Sequence, residues 1–318
     1  MSGNVAVFRT LRDARGVFAP SAVTIGNFDG VHLGHQELMR QLHGHGAKPS
    51  VITFDPHPTS VVAPDRAPRL MSTLDQRIEW MRAAGVEQVL VVPFDREFSK
   101  LAPEEFVRLV IVHAAGARRV VIGSNFRFAH KQAGDTAMLA ELGVRHGYVT
   151  QVVPAVEWRG SAVSSTAIRN AVEAGDVGRA LRMLSRPFAL EGGVVRGSGI
   201  GSTQTVSTLN LDTRAAVLPL RGVYVTSVRD LDSGRHWPSV TNIGYRPTFG
   251  GEALTIESHV IEGYADAAPT RISVDFFHRI REERKFPDAT ALRSQILLDV
   301  ARARAWWRHA RRCRAGRL

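Results

Sequence analysis

Residues 21–35 read SAVTIGNFDGVHLGH. An apolar run, Ser21 to Phe28, leads into Gly26-Asn27-Phe28-Asp29-Gly30, and a helical pattern opens near His32. Gly26 and Gly30 permit a tight turn and a close approach of ligand to backbone. A helix that starts directly after a strand offers unpaired N–H groups and a positive dipole end, which suit phosphate. His32 and His35 are three residues apart and share one face at that end, with Gly34 between them. Two imidazoles above a phosphate site can donate hydrogen bonds to charge developing on phosphoryl oxygens. The bland alternative is a turn with two exposed histidines; the position after the first strand of a parallel sheet weighs against it. A metal site is a weaker alternative, because no third and fourth ligand stand nearby.

The same alternation extends outward to about Pro187. Candidate strands are 21–28, SVITF (50–54), QVLVVPF (88–94), RRVVIGS (118–124) and YVTQVVP (148–154), with helices starting near His32, Leu74, Pro103 and Asp135. Near-continuous apolar strands separated by helices predict an α/β domain with a parallel sheet covered on both faces. Such sheets bind ligands beyond the carboxyl ends of their strands. Two short helices follow in 163–175 and 176–185. Beyond Arg186-Pro187 the chain turns to short strands parted by Gly, Ser and Pro: 188–197, 222–230, 237–245, 254–262 and 271–280. That pattern predicts a small antiparallel barrel, closed by a final helix from about Asp288 to Arg308. The expected domains are therefore 1–186 and 187–318.

Composition bounds the rest. The chain has 318 residues, 44% hydrophobic and 22% charged, enough for two domains of roughly 150 residues each. The net charge is +11, and seven arginines lie in 301–318, leaving +4 for the remainder. A basic tail can bind nucleic acid or an anionic surface, but a solvated, frayed helix end explains it more simply. The single cysteine, Cys313, excludes an intrachain disulfide and a Cys-rich metal site, and suits a reducing, cytoplasmic setting. The N-terminus has no long apolar segment and no run approaches about 18 apolar residues, so neither a secretory signal nor a membrane span is expected.

Three further segments sit at the expected ligand edge of the sheet: Phe54-Asp55-Pro56-His57-Pro58, Gly123-Ser124-Asn125-Phe126-Arg127-Phe128 and Val163-Ser164-Ser165-Thr166-Ala167-Ile168-Arg169. Singly, each is weak: a proline-rich loop, a strand end, a helix cap. Residues 26–35 resemble the HxGH signature of the nucleotidylyltransferase superfamily. With the other three segments in this order, the chain resembles the prokaryotic bifunctional riboflavin kinase/FMN adenylyltransferase (FAD synthetase) family from about Val23 to Arg308. The resemblance implies an N-terminal domain that makes FAD from FMN and ATP by in-line attack on the α-phosphate. It implies catalytic roles for His32 and His35. It also implies ATP contacts from Gly26, Asn27, Phe28, Gly30, Gly34, Asn125, Ser165, Thr166 and Arg169, and a flavin wall of Phe54, Pro56, Pro58, Phe126 and Phe128. This chain departs at Ala162, where a basic residue is common, and at Ala129, where the family usually has glycine.

The second half resembles the riboflavin kinase module, a six-stranded barrel. Residues 197–211, GSGIGSTQTVSTLNL, align with the module's glycine-rich ATP loop. The resemblance implies ATP binding by Gly197, Gly199, Gly201, Thr208 and Asn210, with Thr208 and Asn210 as Mg²⁺ ligands; hydroxyl and amide oxygens are hard donors suited to that ion. Ser207 replaces the usual proline, and a looser turn there is expected to weaken ATP affinity. Residues 242–250, NIGYRPTFG, match closely, and Glu257 follows as the implied general base for the ribityl 5′-hydroxyl. Residues 279–286, RIREERKF, match the closing strand and loop, with no role assigned.

The resulting expectation is a two-step enzyme that phosphorylates riboflavin to FMN and adenylylates FMN to FAD, with ATP as co-substrate and Mg²⁺ as cofactor. One alternative is an adenylyltransferase whose kinase barrel is impaired. Another, of a different class, is a nucleic-acid-binding protein using the arginine tail. Trp306 and Trp307 within that tail are better explained as the apolar face of the last helix. Small molecules are the expected partners, nucleic acid and membrane are not, and the oligomeric state is not set by the sequence.

Overall fold

The computed structural model describes residues 4–195, 208–248, 251–264 and 268–315. The chain divides into two compact units, Met1–Ser165 and Thr166–Leu318.

The first unit is built on a six-stranded parallel sheet: β1 (Ala6–Phe8), β2 (Ser21–Ile25), β3 (Lys48–Asp55), β4 (Gln88–Pro93), β5 (Ala117–Gly123) and β6 (Val149–Val153). The spatial order is β1-β4-β3-β2-β5-β6. The five strands read from the sequence are present and parallel; the three-residue edge strand β1, paired with β4, is an addition. Alternate strand residues serve opposite faces. Val23, Ile25, Ile52, Leu90, Val92, Val120 and Ile122 share one core with Phe18, Phe106, Ile111, Leu139 and Leu142. Val51, Val89 and Val91 pack the other way, with Met39 and Met81. Strands buried on both sides have no place for a polar alternation, which is why these segments read as continuous apolar runs.

The helices of this unit are α1 (Leu11–Ala14), α2 (Leu33–Arg40), α3 (Pro58–Val62), α4 (Leu74–Ala83), α5 (Pro103–Phe106) and α6 (Thr136–His146). α5 has Pro103 in its first turn with Glu104 and Glu105 beside it, and continues as a π-helix over Val107–Ala114. Thr73 and Gln76 form a reciprocal capping box on α4, and Asp135 caps α6 by accepting the Met138 N–H at 2.9 Å. From β2 the chain winds one way to β3 and β4, and the other way to β5 and β6. The crevice between the carboxyl ends of β2 and β5 is thus the topological switch point, where open α/β sheets take ligands.

Helix α7 (Ser165–Glu173) opens on the last residue of the first unit; the rest of it and α8 (Val177–Leu184) belong to the second. It continues with a closed barrel in the order β10-β13-β12-β11-β14-β9. The strands are β9 (Phe188–Val195), β10 (Thr208–Asp212), β11 (Gly222–Asp230), β12 (His236–Thr248), β13 (Gly251–Val260) and β14 (Arg271–Arg281). A short hairpin of β7 (Glu157–Trp158) and β8 (Ser161–Ala162) precedes α7. β10 is the strand that composition did not separate from its glycine-rich approach. Tyr224 and Phe276 fill the barrel edge-to-face at 5.4 Å. Four buried hydroxyls, Thr226, Ser239, Thr241 and Ser258, bond to one another at 2.7 to 2.9 Å, so none is left unsatisfied.

The last helix, α9 (Ala289–Ala315), is longer than expected. Asp288 caps it, accepting the Ala291 N–H at 2.8 Å. Its arginine-rich end is helical rather than frayed: Arg311 pairs with Glu262 at 2.8 Å and Arg304 donates to the Ile261 carbonyl at 3.4 Å. Ala303, Trp306 and Trp307 pack on Val223, Val225 and Val240 of the barrel wall, so the tryptophans form the apolar face of α9. Arg281 makes a bidentate bond to the buried Asp299, which also accepts from Gln295 at 2.8 Å. Among the described residues no helix is long and apolar enough to cross a membrane.

Candidate active sites

At the end of β2 the backbone turns sharply. Phe28 and Val31 both hold positive φ, 52° and 36°, beside Gly30 at 79°. A β-branched residue in that region is a true outlier, and strain of this kind is retained where surrounding structure fixes it. The fixing contacts are visible. The buried Asp29 carboxylate accepts the Met71 N–H at 3.1 Å and the Ser72 hydroxyl at 2.8 Å, and Ser72 Oγ in turn accepts the Gly30 N–H. The Ser165 hydroxyl donates to the Asp29 carbonyl at 2.9 Å.

His32 is the N-cap of α2. Its Nδ1 accepts the His35 N–H at 3.4 Å, so in the neutral ring the proton is carried on Nε2. The His32 and His35 rings stack 3.6 Å apart, and Phe28 meets His35 edge-on at 5.1 Å. Gly34 is needed for this arrangement: a Cβ there would stand 3.2 Å from the His32 ring and 3.7 Å from the Val163 carbonyl. Gly26 similarly leaves room for the Phe28 ring.

Asn27 is half-buried beside this pair. Its carbonyl accepts from Arg77 Nη1 at 2.8 Å and Thr53 Oγ1 at 3.4 Å, and its carboxamide touches His57 Nε2 at 3.0 Å. Burial pushes the Arg77 guanidinium down, while Asp29 and Asp55 partly offset that. Asn125 is exposed just past β5, across the switch point; a Cβ on Gly123 would lie 3.3 Å from its Oδ1. Thr166, exposed, and Arg169, half-buried, follow Ser165 on α7.

The aromatic residues line up along the same strand ends. Phe54 meets Phe94 at 5.7 Å and Phe98 at 6.2 Å, Phe98 meets Phe106 at 6.1 Å, and Phe106 meets Phe128 at 5.5 Å. Phe126 stacks on Phe128 at 5.8 Å. Phe128 is buried in the core, Phe54 and Phe126 are half-buried, Pro56 is exposed and Pro58 starts α3. Phe94 and Phe98 join this aromatic cluster but carry no motif; Phe94 ends a predicted strand, and Phe98 has no local signal.

In the barrel, Asn210 on β10 is directly opposite Glu257 on β13, which is directly opposite Asn242 on β12. Directly opposed residues share a face, so these three form one polar row, with Leu209, Ile256 and Ile243 turned the other way. Two residues along, Thr208 Oγ1 lies 3.1 Å from His259 Nδ1, and burial pushes the His259 imidazole pKa down. Glu283 of the closing loop folds back, accepting the Tyr245 N–H at 3.2 Å; a Cβ on Gly244 would collide with its carboxylate. Gly197, Gly199, Gly201 and Ser207 lie outside the described residues. No group of three or more His, Cys, Asp or Glu side chains able to hold a metal occurs among the described residues. The Thr208 hydroxyl and the Asn210 amide oxygen are hard donors of the kind that a hard cation takes.

Sequence comparison matches these two sites separately. Residues 16–167 match the pattern described as FAD synthetase, and residues 184–307 match that described as riboflavin kinase. A bifunctional riboflavin kinase/FMN adenylyltransferase of Pseudomonas fluorescens is 35% identical over 302 residues, covering 93% of this chain and 96% of that protein. The chain belongs to the bifunctional riboflavin kinase/FMN adenylyltransferase family.

Other members of that family align over similar spans. The proteins of Escherichia coli K12 and Haemophilus influenzae are 34% and 33% identical, covering 90% and 95% of this chain. A solved chain from Streptococcus pneumoniae, described as a macrolide-efflux protein, superposes with TM-score 0.84 at 28% identity, covering 95% of this chain and 99% of its own. Asp29 and His57 lie inside the segments that carry the family resemblance, while Ser72 and Arg77 lie outside them; by the geometry above Asp29 and Ser72 hold the turn, and Arg77 and His57 contact Asn27.

Proposed function

We propose that this chain carries out two consecutive steps of flavin cofactor synthesis. The barrel transfers the γ-phosphoryl group of ATP to riboflavin, giving FMN and ADP. The α/β unit then transfers AMP from a second ATP to FMN, giving FAD and pyrophosphate. The observation that carries the reading is the stacked pair His32 and His35, 3.6 Å apart at the start of α2 and at the sheet's switch point.

In adenylylation, a phosphate oxygen of FMN attacks the α-phosphorus of ATP, and the bond to the pyrophosphate oxygen breaks. Negative charge grows on oxygens that hydrogen-bond donors can meet. The reading gives His32 Nε2–H and His35 that role, with Gly26, Asn27, Phe28, Gly30, Gly34, Asn125, Ser165, Thr166 and Arg169 holding the nucleotide. Phe54, Pro56, Pro58, Phe126 and Phe128, extended by Phe94 and Phe98, would wall the isoalloxazine ring. Aromatic and proline surfaces exclude water and stack on a flat ring.

In the kinase step Glu257 takes the proton of the ribityl 5′-hydroxyl as its oxygen attacks the γ-phosphorus. Asn242, in the same row, is placed to orient that hydroxyl or the carboxylate. Thr208 and Asn210 would hold Mg²⁺, which when bound screens the polyphosphate charge. The functional boundary we assign, 1–186 and 187–318, puts α7 and α8 with the adenylyltransferase module. A cytoplasmic location, with small-molecule partners, agrees with a chain whose single cysteine, Cys313, has no second cysteine to pair with.

The test is a chromatographic time course of the purified chain with riboflavin, ATP and Mg²⁺. FAD appearing through FMN is the expected result. FAD from supplied FMN but no product from riboflavin would leave an adenylyltransferase with a disabled barrel. No product from either flavin would sink both activities.

A further inference from the structure

His57, in the Phe54–Pro58 segment, touches Asn27 and has so far been given no task. Its backbone and ring are both pinned. The His57 carbonyl accepts the Ser60 hydroxyl at 2.6 Å and the Ser60 N–H at 2.8 Å. Its Nδ1 accepts the Thr59 N–H at 3.2 Å, capping α3. A backbone N–H can only donate, so Nδ1 bears a lone pair and the ring proton is on Nε2. The Asn27 carboxamide atom 3.0 Å from Nε2 stands as Nδ2, which is also a donor. Two donors at that distance repel, and amide nitrogen and oxygen are told apart only by their partners. The consistent arrangement turns Asn27 Oδ1 toward His57 and Nδ2 away from it.

We propose that His57 is a positioning residue for adenylylation: its Nε2–H holds Asn27 Oδ1, so that Asn27 presents an N–H₂ donor to the polyphosphate. The inference rests on the nucleotide-binding reading of Asn27 above. Polyphosphate oxygens only accept hydrogen bonds. The opposite amide orientation would present a partial negative charge to them and repel. Because Arg77 and Thr53 fix the Asn27 carbonyl, the main freedom left to this residue is the side-chain orientation that His57 settles.

The decisive variant is His57→Asn in the full chain. Asparagine is a good N-cap and retains acceptance from Thr59 N–H, but it is too short to donate to Asn27. The KM for ATP in FMN adenylylation is expected to rise about tenfold, with kcat changed less than about twofold. In an Asn27→Ala background, the same His57→Asn change should move KM less than about twofold, because its target is gone. Independently, ¹⁵N NMR of histidine-labelled wild-type chain, with the His57→Asn spectrum for assignment, should show the Nε2–H tautomer at neutral pH. An unchanged KM, a KM effect undiminished without Asn27, or an Nδ1–H tautomer would each overturn the proposal. A wild-type chain that forms no FAD from FMN would instead overturn the adenylylation reading, and the tautomer would still decide the His57–Asn27 geometry.

Discussion

Asn210 and Glu257 face each other across the β10–β13 pair. In the proposed kinase step one would supply an amide oxygen to a cation and the other would take a hydroxyl proton, so a single cross-strand pair would serve both needs of phosphoryl transfer. Replacing the carboxylate tests the pair with little change of shape. Glu257→Gln is expected to lower riboflavin phosphorylation by about 10²- to 10⁴-fold. FAD formation from supplied FMN should stay at the wild-type rate. Quantifying FMN and FAD from each starting flavin checks both halves; a glutamine variant that still phosphorylates riboflavin normally would remove Glu257 as the base.

Gly34→Ala separates stability from activity in the other unit. Alanine favours the helix interior by roughly 1 kcal/mol over glycine. Its Cβ would nevertheless press on the His32 ring at 3.2 Å and so shift the stacked pair. Small displacements of reacting groups are costly in rate. The expected outcome is an unchanged or slightly raised Tm with FAD synthesis from FMN reduced by about tenfold or more. Loss of folding together with activity would mean that the glycine serves packing rather than the histidine geometry.

How much of this was legible in the sequence follows from what local signals can carry. β2, β3 and β4 are readable because strands buried on both faces are near-continuous apolar runs; β5 and the largely exposed edge strand β6 are readable from their valines between turn signals, and the helix starts are readable near Leu74, Pro103 and Asp135. β1 has only three residues and is held by pairing with β4, a contact that no local pattern records. β10 hides behind glycines that signal a loop. α9 outruns its expected end because arginine is a good helix former, and Arg304 and Arg311 find partners at Ile261 and Glu262.

The sites divide in the same way. His32 and His35 are visible because their spacing along one helix is their geometry. His57, Arg77 and Ser72 lie 30, 50 and 42 residues from the Asn27 and Gly30 groups they hold. Only the folded sheet brings them together. His32 and His35 are thus neighbours in the chain, while the groups that hold Asn27 and Gly30 are dispersed along it.

The loop after Phe128 gives a test of strain. Ala129 has φ 66° and ψ −168°, a region populated almost only by glycine, and Lys131 and Gln132 also have positive φ. The backbone here holds that conformation on an alanine. Holding a non-glycine residue there costs of order 1–3 kcal/mol, against roughly 0.5–1 kcal/mol for glycine's extra unfolded-state freedom. Ala129→Gly should therefore stabilise the first unit by about 1 kcal/mol, read from its own unfolding transition in calorimetry of the full chain. A lower Tm would show that the loop relaxes around alanine at no cost.

Asp275 on β14 supplies a pH-dependent prediction for the second unit. Burial raises its pKa above the ordinary 3.8, and Glu191 adds to this, while the Ser273 hydroxyl, Arg229 and His236 act against it. Its folded pKa thus exceeds its unfolded one. Between those two values the folded state holds the proton that the unfolded chain has released. This group's contribution is fully present below the unfolded pKa and is lost as pH rises through the folded pKa. Above its folded pKa the ionised carboxylate is a net cost. Asparagine matches its shape and can still accept from Ser273 Oγ, which donates to Oδ1 at 3.0 Å. Asp275→Asn is expected to raise the barrel's Tm by a few degrees at pH 7, with the gain shrinking as pH falls toward the unfolded value. Melts of both proteins across that range check the sign. A variant less stable at pH 7 would mean that attraction to Arg229 and His236 outweighs the burial of the charge.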